Sequence, residues 1–299
     1  MPHSPVLLRQ TTHLLALHSG YQVIDCTVGE GGHAREMLKA IGSKGKLLAL
    51  DADKENIARA RVNLKEFANT VFVNSNFVHL KDIAAQQQFD SVKAILMDLG
   101  WSMSQFENSG RGFSFLRDEP LDMRLQISQI SNLKSQNLTA SEILNDWPEE
   151  DVGRVLREYG EEKRWKEIAR AIIKYRKKQP FKTTLQLVEV VKESGIRNYE
   201  SGINPATKTF QALRIAVNDE LNNLKKVLPQ AIELLEKGGR LAIITFHSLE
   251  DRIVKQFFQN VNQQNKIKLI TKKPVVAEFE EMEINPRARS AKLRVIEKI

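Results

Sequence analysis

Cysteine is almost absent: Cys26 is the single one in 299 residues, so one chain can build neither a disulfide framework nor a thiolate zinc cluster. A reducing compartment is expected, and no metal site. Long apolar runs are missing too. No stretch approaches the roughly 20 apolar residues that cross a bilayer, and the opening MPHSPVLL lacks the apolar run of a secretory signal. The chain therefore reads as soluble and not exported, with no membrane partner. No internal repeat or low-complexity tract is visible either, which sets aside a solenoid.

What is present is a surplus of positive charge and enough apolar content for a real core. With 41% hydrophobic residues, the chain can bury one full α/β core and still carry a second, smaller unit. A formal charge of +8 and a pI near 9.4 favour a polyanionic partner over a cationic one. Charge alone fits a solvated lysine-rich face equally well.

The first hundred residues alternate short apolar runs with segments of helical character. Tyr21 to Asp25, Lys46 to Asp51, Thr70 to Val73 and Ala94 to Asp98 read as buried strands. Between them, His33 to Ile41, Lys54 to Phe67 and His79 to Gln87 suit crossover helices. This is the rhythm of a parallel sheet covered on both faces. A fifth strand, Arg240 to Phe246, follows a helix stop at Lys237-Gly238-Gly239, and Ile267 to Thr271 with Lys292 to Glu297 would close the sheet. Between strands four and five the chain shows amphipathic helix patterns and no convincing strand. The division predicted is a sheet domain in two parts, 1–104 and 206–299, with a helical insert over 105–205. The clearest insert helix runs from Glu161 to Lys178, with Trp165, Ile168, Ala169, Ile172 and Ile173 as its apolar stripe and eight lysines and arginines elsewhere on it.

The loop after the first strand reads Asp25-Cys26-Thr27-Val28-Gly29-Glu30-Gly31-Gly32-His33 and runs straight into a helix. Glycines there allow a sharp turn and close approach of a ligand to amides at a helix N-terminus. A ligand-free glycine turn is the plain alternative. Scored through Gly29, Gly31 and Ala34, the loop also matches a dinucleotide site. Electrostatics separates the two ligands: Asp25 and Glu30 would repel a pyrophosphate and tolerate a sulfonium with an ammonium, which favours S-adenosylmethionine. Asp51, at the end of the second strand, suits a carboxylate accepting from both ribose hydroxyls, or a turn or cap before the helix at Lys54. Phe77 is placed beside the adenine, with core packing as its competitor. Asp98 ends the fourth strand, next to the point where strand order reverses, so it should face the transferable methyl and the methionine ammonium. Burying an unpaired carboxylate merely for packing would be costly.

Gly31-Gly32-His33, the run from Met97 to Phe115, Pro120 to Arg124, Thr245 to Arg252 and Asn285 to Ser290 together resemble the small-subunit ribosomal RNA cytosine-N4 methyltransferase family over nearly the whole chain. The resemblance implies an α/β fold, a Rossmann-like class I methyltransferase sheet with an inserted helical domain that binds RNA. It implies S-adenosylmethionine as cofactor, held at Gly31, Gly32, His33, Asp51, Phe77, Asp98 and Gln105. It implies ribosomal RNA or the small subunit as partner, in a cytoplasm or a mitochondrial matrix, and leaves the oligomeric state open, a homodimer included. The chain departs from the family pattern at Trp101, Met103 and Phe106-Glu107.

Cytosine's exocyclic amine is a poor nucleophile because its lone pair is delocalised, so an acceptor must hold it as it attacks. Asp98 is the catalytic candidate, with a backbone carbonyl of Leu99-Gly100-Trp101 as the other option. Trp101, Phe113 and Phe115 are candidates for stacking on a splayed-out base, and equally for core. His247 reads as structural or as a substrate contact. Arg111, Arg124, Arg287 and Arg289, with the Lys163 to Lys178 helix, are candidates for phosphate contacts or for pairing with Asp118, Asp122 and Glu250. Two other classes stay open: a nicotinamide-dependent oxidoreductase using NAD, and a non-enzymatic RNA-binding assembly factor with a vestigial pocket.

Overall fold

A computed structural model describes residues 5–100, 110–125, 138–194 and 204–299. The chain forms two compact units, one of Met1–Ser102 with Leu221–Ile299 and one of Met103–Glu220.

The first unit is built on seven strands: β1 Gln22–Asp25, β2 Lys46–Asp51, β3 Thr70–Asn74, β4 Val92–Asp98, β5 Leu235–Thr245, β6 Ile267–Leu269 and β7 Lys292–Lys298. Their order is β3-β2-β1-β4-β5-β7-β6, parallel except for β7, which runs antiparallel to both neighbours. This is the Rossmann-like class I methyltransferase sheet that the motifs imply. The central strands are continuous apolar runs because both faces are covered. Side chains alternate strictly: Val23, Leu47, Ala49, Ala94 and Leu96 enter one core, while Ile24, Leu48, Leu50, Ile95 and Met97 enter the other. Helices α1 Leu8–Leu15, α2 Gly32–Ile41 and α3 Lys54–Asn63 contribute to the first core. Helix α4, Leu80–Gln86, packs into the second. The chain turns outward from β1 to β2 on one side and has β4 on the other, so a crevice opens at the carboxyl ends of β1 and β4.

The second unit holds helices α5 Ala140–Asp146, α6 Glu149–Glu158, α7 Trp165–Arg176, α8 Thr184–Glu193 and α9 Thr207–Asn218. Thr139 with Glu142 and Thr183 with Gln186 form capping boxes that start α5 and α8. Gly153 on α6 lets α7 come close, because a Cβ there would lie 2.8 Å from the Trp165 ring. Helix α10, Glu220–Leu234, leads back into the sheet unit, and α11 Ser248–Gln263 and α12 Phe279–Ile284 follow β5 and β6.

Two elements differ from the sequence expectation. The Glu161–Lys178 helix is shorter, because Glu161 takes a left-handed backbone, φ 46°, and the helix starts only at Trp165. Lys237-Gly238-Gly239 is not the helix stop, since α10 has already ended at Leu234. Leu235, buried, pairs with Val92, and the glycines bulge out before pairing resumes at Arg240, with Gly238 at φ 75°. Among the described residues no helix is long and apolar enough to cross a membrane.

A candidate active site where the central strands end

Three adjacent strands end on carboxylates: Asp25 on β1, Asp51 on β2 and Asp98 on β4. Asp25 is 1% exposed, and its Oδ1 accepts from the Thr27 N–H at 3.0 Å. Its Oδ2 has no hydrogen-bond partner among the described residues. Burial pushes its pKa up to about 7; His33 and the Thr27 amide oppose the shift, while Asp98 and Asp51 add to it. Asp51 accepts from the Asp53 N–H at 2.8 Å on Oδ1 and, on Oδ2, from the Gly29 N–H at 2.9 Å and Asn56 Nδ2 at 3.2 Å. Burial still raises it to about 6. A carboxylate offers about four acceptor sites, so a ribose with two hydroxyls must displace one of these donors or use one hydroxyl only. The cap of α3 is Asp53, whose side chain accepts from the Glu55 N–H.

Asp98 has a side chain that is 22% exposed. Its Oδ1 accepts from the Gly100 N–H at 3.1 Å, and its own N–H donates to Thr27 Oγ1 at 2.7 Å. Thr27 thus ties the loop after β1 to the end of β4, a link no local spacing announces. His33, the second residue of α2, is 7% exposed and lies with Nε2 3.6 Å from Asp98 Oδ2. Neither ring nitrogen makes a hydrogen bond among the described residues.

The loop from Thr27 to Gly32 reaches α2 through left-handed residues, Gly29 at φ 54° and Gly31 at φ 91°. A Cβ on Gly31 would sit 3.0 Å from the Leu64 side chain, and one on Gly32 would collide with the Pro5 ring. Packing within the protein thus accounts for both missing side chains. Among the described residues no side chain caps the α2 N-terminus, so its amide end is not spent on a neighbouring side chain. Phe77 opens a 3₁₀ turn after β3 that Asn76 caps, and it packs half-buried against the second core. Gln105 and Trp101 lie outside the described residues, as do Met103, Phe106 and Glu107.

His247 caps α11, its Nδ1 accepting from the Glu250 N–H at 3.4 Å. Its Nε2 stands 3.1 Å from Glu250 Oε1, an ion-pair distance without hydrogen-bond geometry. Glu250 Oε2 accepts from the Phe246 N–H at 2.8 Å. Gly100 is demanded by Phe246, whose ring would meet a Cβ there at 2.6 Å. The sequence gives no sign of that long-range contact.

In the helical unit, Arg124 grips Asp122 through Nε and Nη2, both at 2.7 Å. Burial opposes ionisation of Asp122, and the guanidinium outweighs it and holds the carboxyl below its ordinary range. Arg111 donates to the carbonyls of Arg124 and Leu125 and lies over the buried Phe113 ring. Phe115 meets Phe210 edge to face at 5.6 Å. Arg176 donates to the carbonyls of Leu144 and Trp147, closing the end of α5. Lys163, Lys166, Arg170, Lys174, Lys177 and Lys178 remain exposed, as does Arg289 in the sheet unit.

The sequence model of the MraW methylase family matches residues 1–299. Similar proteins include the ribosomal RNA small subunit methyltransferase H of Clostridium botulinum (strain Kyoto / Type A2), 41% identical over 99% of this chain and 99% of its own. The proteins of that name from Halothermothrix orenii and Symbiobacterium thermophilum are 42% and 43% identical, over 100% and 99% of this chain and 99% and 96% of theirs. A solved rRNA methylase from Streptococcus thermophilus covers 100% of this chain and 99% of its own, at 11% identity and a TM-score of 0.47, too distant to carry weight. Neither the oxidoreductase nor the vestigial assembly factor finds support among these matches.

Proposed function

This chain belongs to the MraW methylase family and is a methyltransferase, and from that premise we propose that it methylates the N4 amino group of a specific cytidine in small-subunit ribosomal RNA, in the cytoplasm. S-adenosylmethionine supplies the methyl group on a positively charged sulfonium. The single observation that carries the reading is the convergence of Asp25, Asp51 and Asp98 at the ends of adjacent strands, two of them buried and one with an unpartnered oxygen. Such a place suits a cation and repels a pyrophosphate.

The residues divide the work as follows. The α2 N-terminus at Gly31, Gly32 and His33 receives the carboxylate of the donor. Asp51 accepts from the ribose, and Phe77 lies by the adenine. Asp98, more exposed than Asp25, accepts an N–H of the cytosine amine, which favours the pyramidal form that can attack. The helical unit Met103–Glu220 holds the RNA by its phosphates, with the lysines of α7 as contacts. The cytidine leaves its stack to reach the site.

The test is labelled methyl transfer to small ribosomal subunits from cells lacking this protein, followed by mass mapping of the RNA. One N4-methylated cytidine is expected, and Asp98→Ala should remove it. A product on another atom, or no transfer with tight binding of NAD instead, would overturn the reading.

A further inference from the structure

Methylation of a neutral amine by a sulfonium releases one proton. The N–CH3 bond forms, the S–CH3 bond breaks with its electron pair left on sulfur, and an N–H proton leaves the amine. The positive charge therefore passes from sulfur to that proton. In an open site water would carry it off. Here the carboxylates of Asp25 and Asp51 are buried beside Asp98, and when the sulfonium turns into a neutral thioether they lose their counter-charge. Unpaired buried charge is unfavourable, so keeping the proton inside is the cheaper arrangement.

The place to keep it is visible. Buried polar atoms nearly always find partners, yet among the described residues Asp25 Oδ2 and both ring nitrogens of His33 have none. His33 Nε2 stands 3.6 Å from Asp98 Oδ2, one small side-chain movement from a hydrogen bond, and His33 and Asp25 attract one another electrostatically. Among the described residues, the charged groups that bear on the ring are Asp98 on β4, at that distance, and Asp25 on β1, itself influenced by Asp51 on β2. Cys26 takes no part, because burial pushes its thiol well up.

Resting on the methyltransferase reading above, we propose that the amine proton passes from Asp98 Oδ2 to His33 Nε2 and is stored in the His33–Asp25 pair until the product leaves. His33 then takes the proton from Asp98 directly, and Asp25 is a positioning residue that acts through His33. Asp25 stabilises the imidazolium that results.

Calorimetry on the full chain, in pairs of buffers with different ionisation enthalpies, tests this without turnover. S-adenosylmethionine and S-adenosylhomocysteine are titrated separately. Near neutral pH the thioether is expected to bind with uptake of about one more proton than the sulfonium. Its affinity should fall between roughly pH 6 and 9 while that of the sulfonium holds or rises. Asp25→Asn with His33→Gln should erase the difference. Equal proton uptake for the two ligands in the wild type overturns the inference, and so does an unchanged difference in the double variant. If neither ligand binds, the methyltransferase reading falls and takes this one with it, whereas binding without a proton difference defeats the proton store alone.

Discussion

At the ends of β1 and β4, ionisable groups are buried with polar atoms left unpartnered, whereas in the helical unit Arg111, Arg124 and Arg176 each reach a carbonyl or a carboxylate. The two regions hold charge for different reasons. A buried carboxylate whose pKa rises to about 7 works against folding, so its persistence points to a ligand that supplies the missing charge. A paired arginine stabilises its own unit and says little about a partner. Among the described residues of the helical unit, the exposed lysines in and beside α7, such as Lys163, Lys166, Lys174, Lys177 and Lys178, together with Lys182 and Lys192, are placed to meet an external anion. The same residue types thus carry opposite weight according to burial and pairing.

The sharpest break of this comparison is at Asp98. Asp98→Ala should lower single-turnover methyl transfer by about 10²–10⁴-fold, the range for loss of a positioned proton acceptor, while RNA affinity changes little. A variant with near-normal turnover would move catalysis to a backbone carbonyl of the following turn. Asp25→Asn comes next and concerns stability. The folded chain holds Asp25 with a pKa of about 7 against 3.8 for a free carboxyl, so the folded state binds more protons than the unfolded one between those values. Stability therefore falls as pH rises from about 4 to 7. At pH 8 the carboxylate costs at most on the order of 4 kcal/mol. The asparagine variant should accordingly be more stable than the wild type in denaturant at pH 8, indistinguishable near pH 4, and weaker in binding the methyl donor. Equal stability of the two at pH 8 would show that solvent or a neighbour already satisfies this group.

The sheet was legible because the runs VID, LLAL and AILM are apolar on both faces and stop at aspartates, a pattern with no helical reading at that length. The crevice followed from the alternation of strands and helices. Gly238 and Gly239 read as a helix stop in the sequence because a helix stop and a bulge demand the same freedom of φ, and only pairing with β4 distinguishes them. The helix at Glu161 was overextended because charged residues continue the helical period without any burial to hold it. The stranded polar atoms of Asp25 and His33 were invisible, since spacing shows which residues meet and not whether water reaches them. The Gly100–Phe246 contact joins β4 to the end of β5 and leaves no local mark.

The smaller effects separate the two kinds of basic residue in the helical unit. Reversing Lys174, Lys177 and Lys178 to Glu should weaken RNA binding and reduce the slope of log affinity against log salt by about 2 or more, since each phosphate contact contributes roughly 0.7–0.9. Donor affinity should stay as it was. Unchanged RNA binding would remove the C-terminal end of α7 and the two lysines after it from the interface. Arg124→Ala should do the reverse. It strips the two 2.7 Å hydrogen bonds from a half-buried Asp122 and should cost about 1–3 kcal/mol in denaturant unfolding. The salt slope should not change, because a guanidinium bound through two of its three nitrogens to a carboxylate, with its charge already matched, has little left to offer a phosphate. A reduced slope in Arg124→Ala with unaltered stability would mean that RNA takes this arginine from Asp122, and that pairing within a unit is no guide to which cations face the substrate.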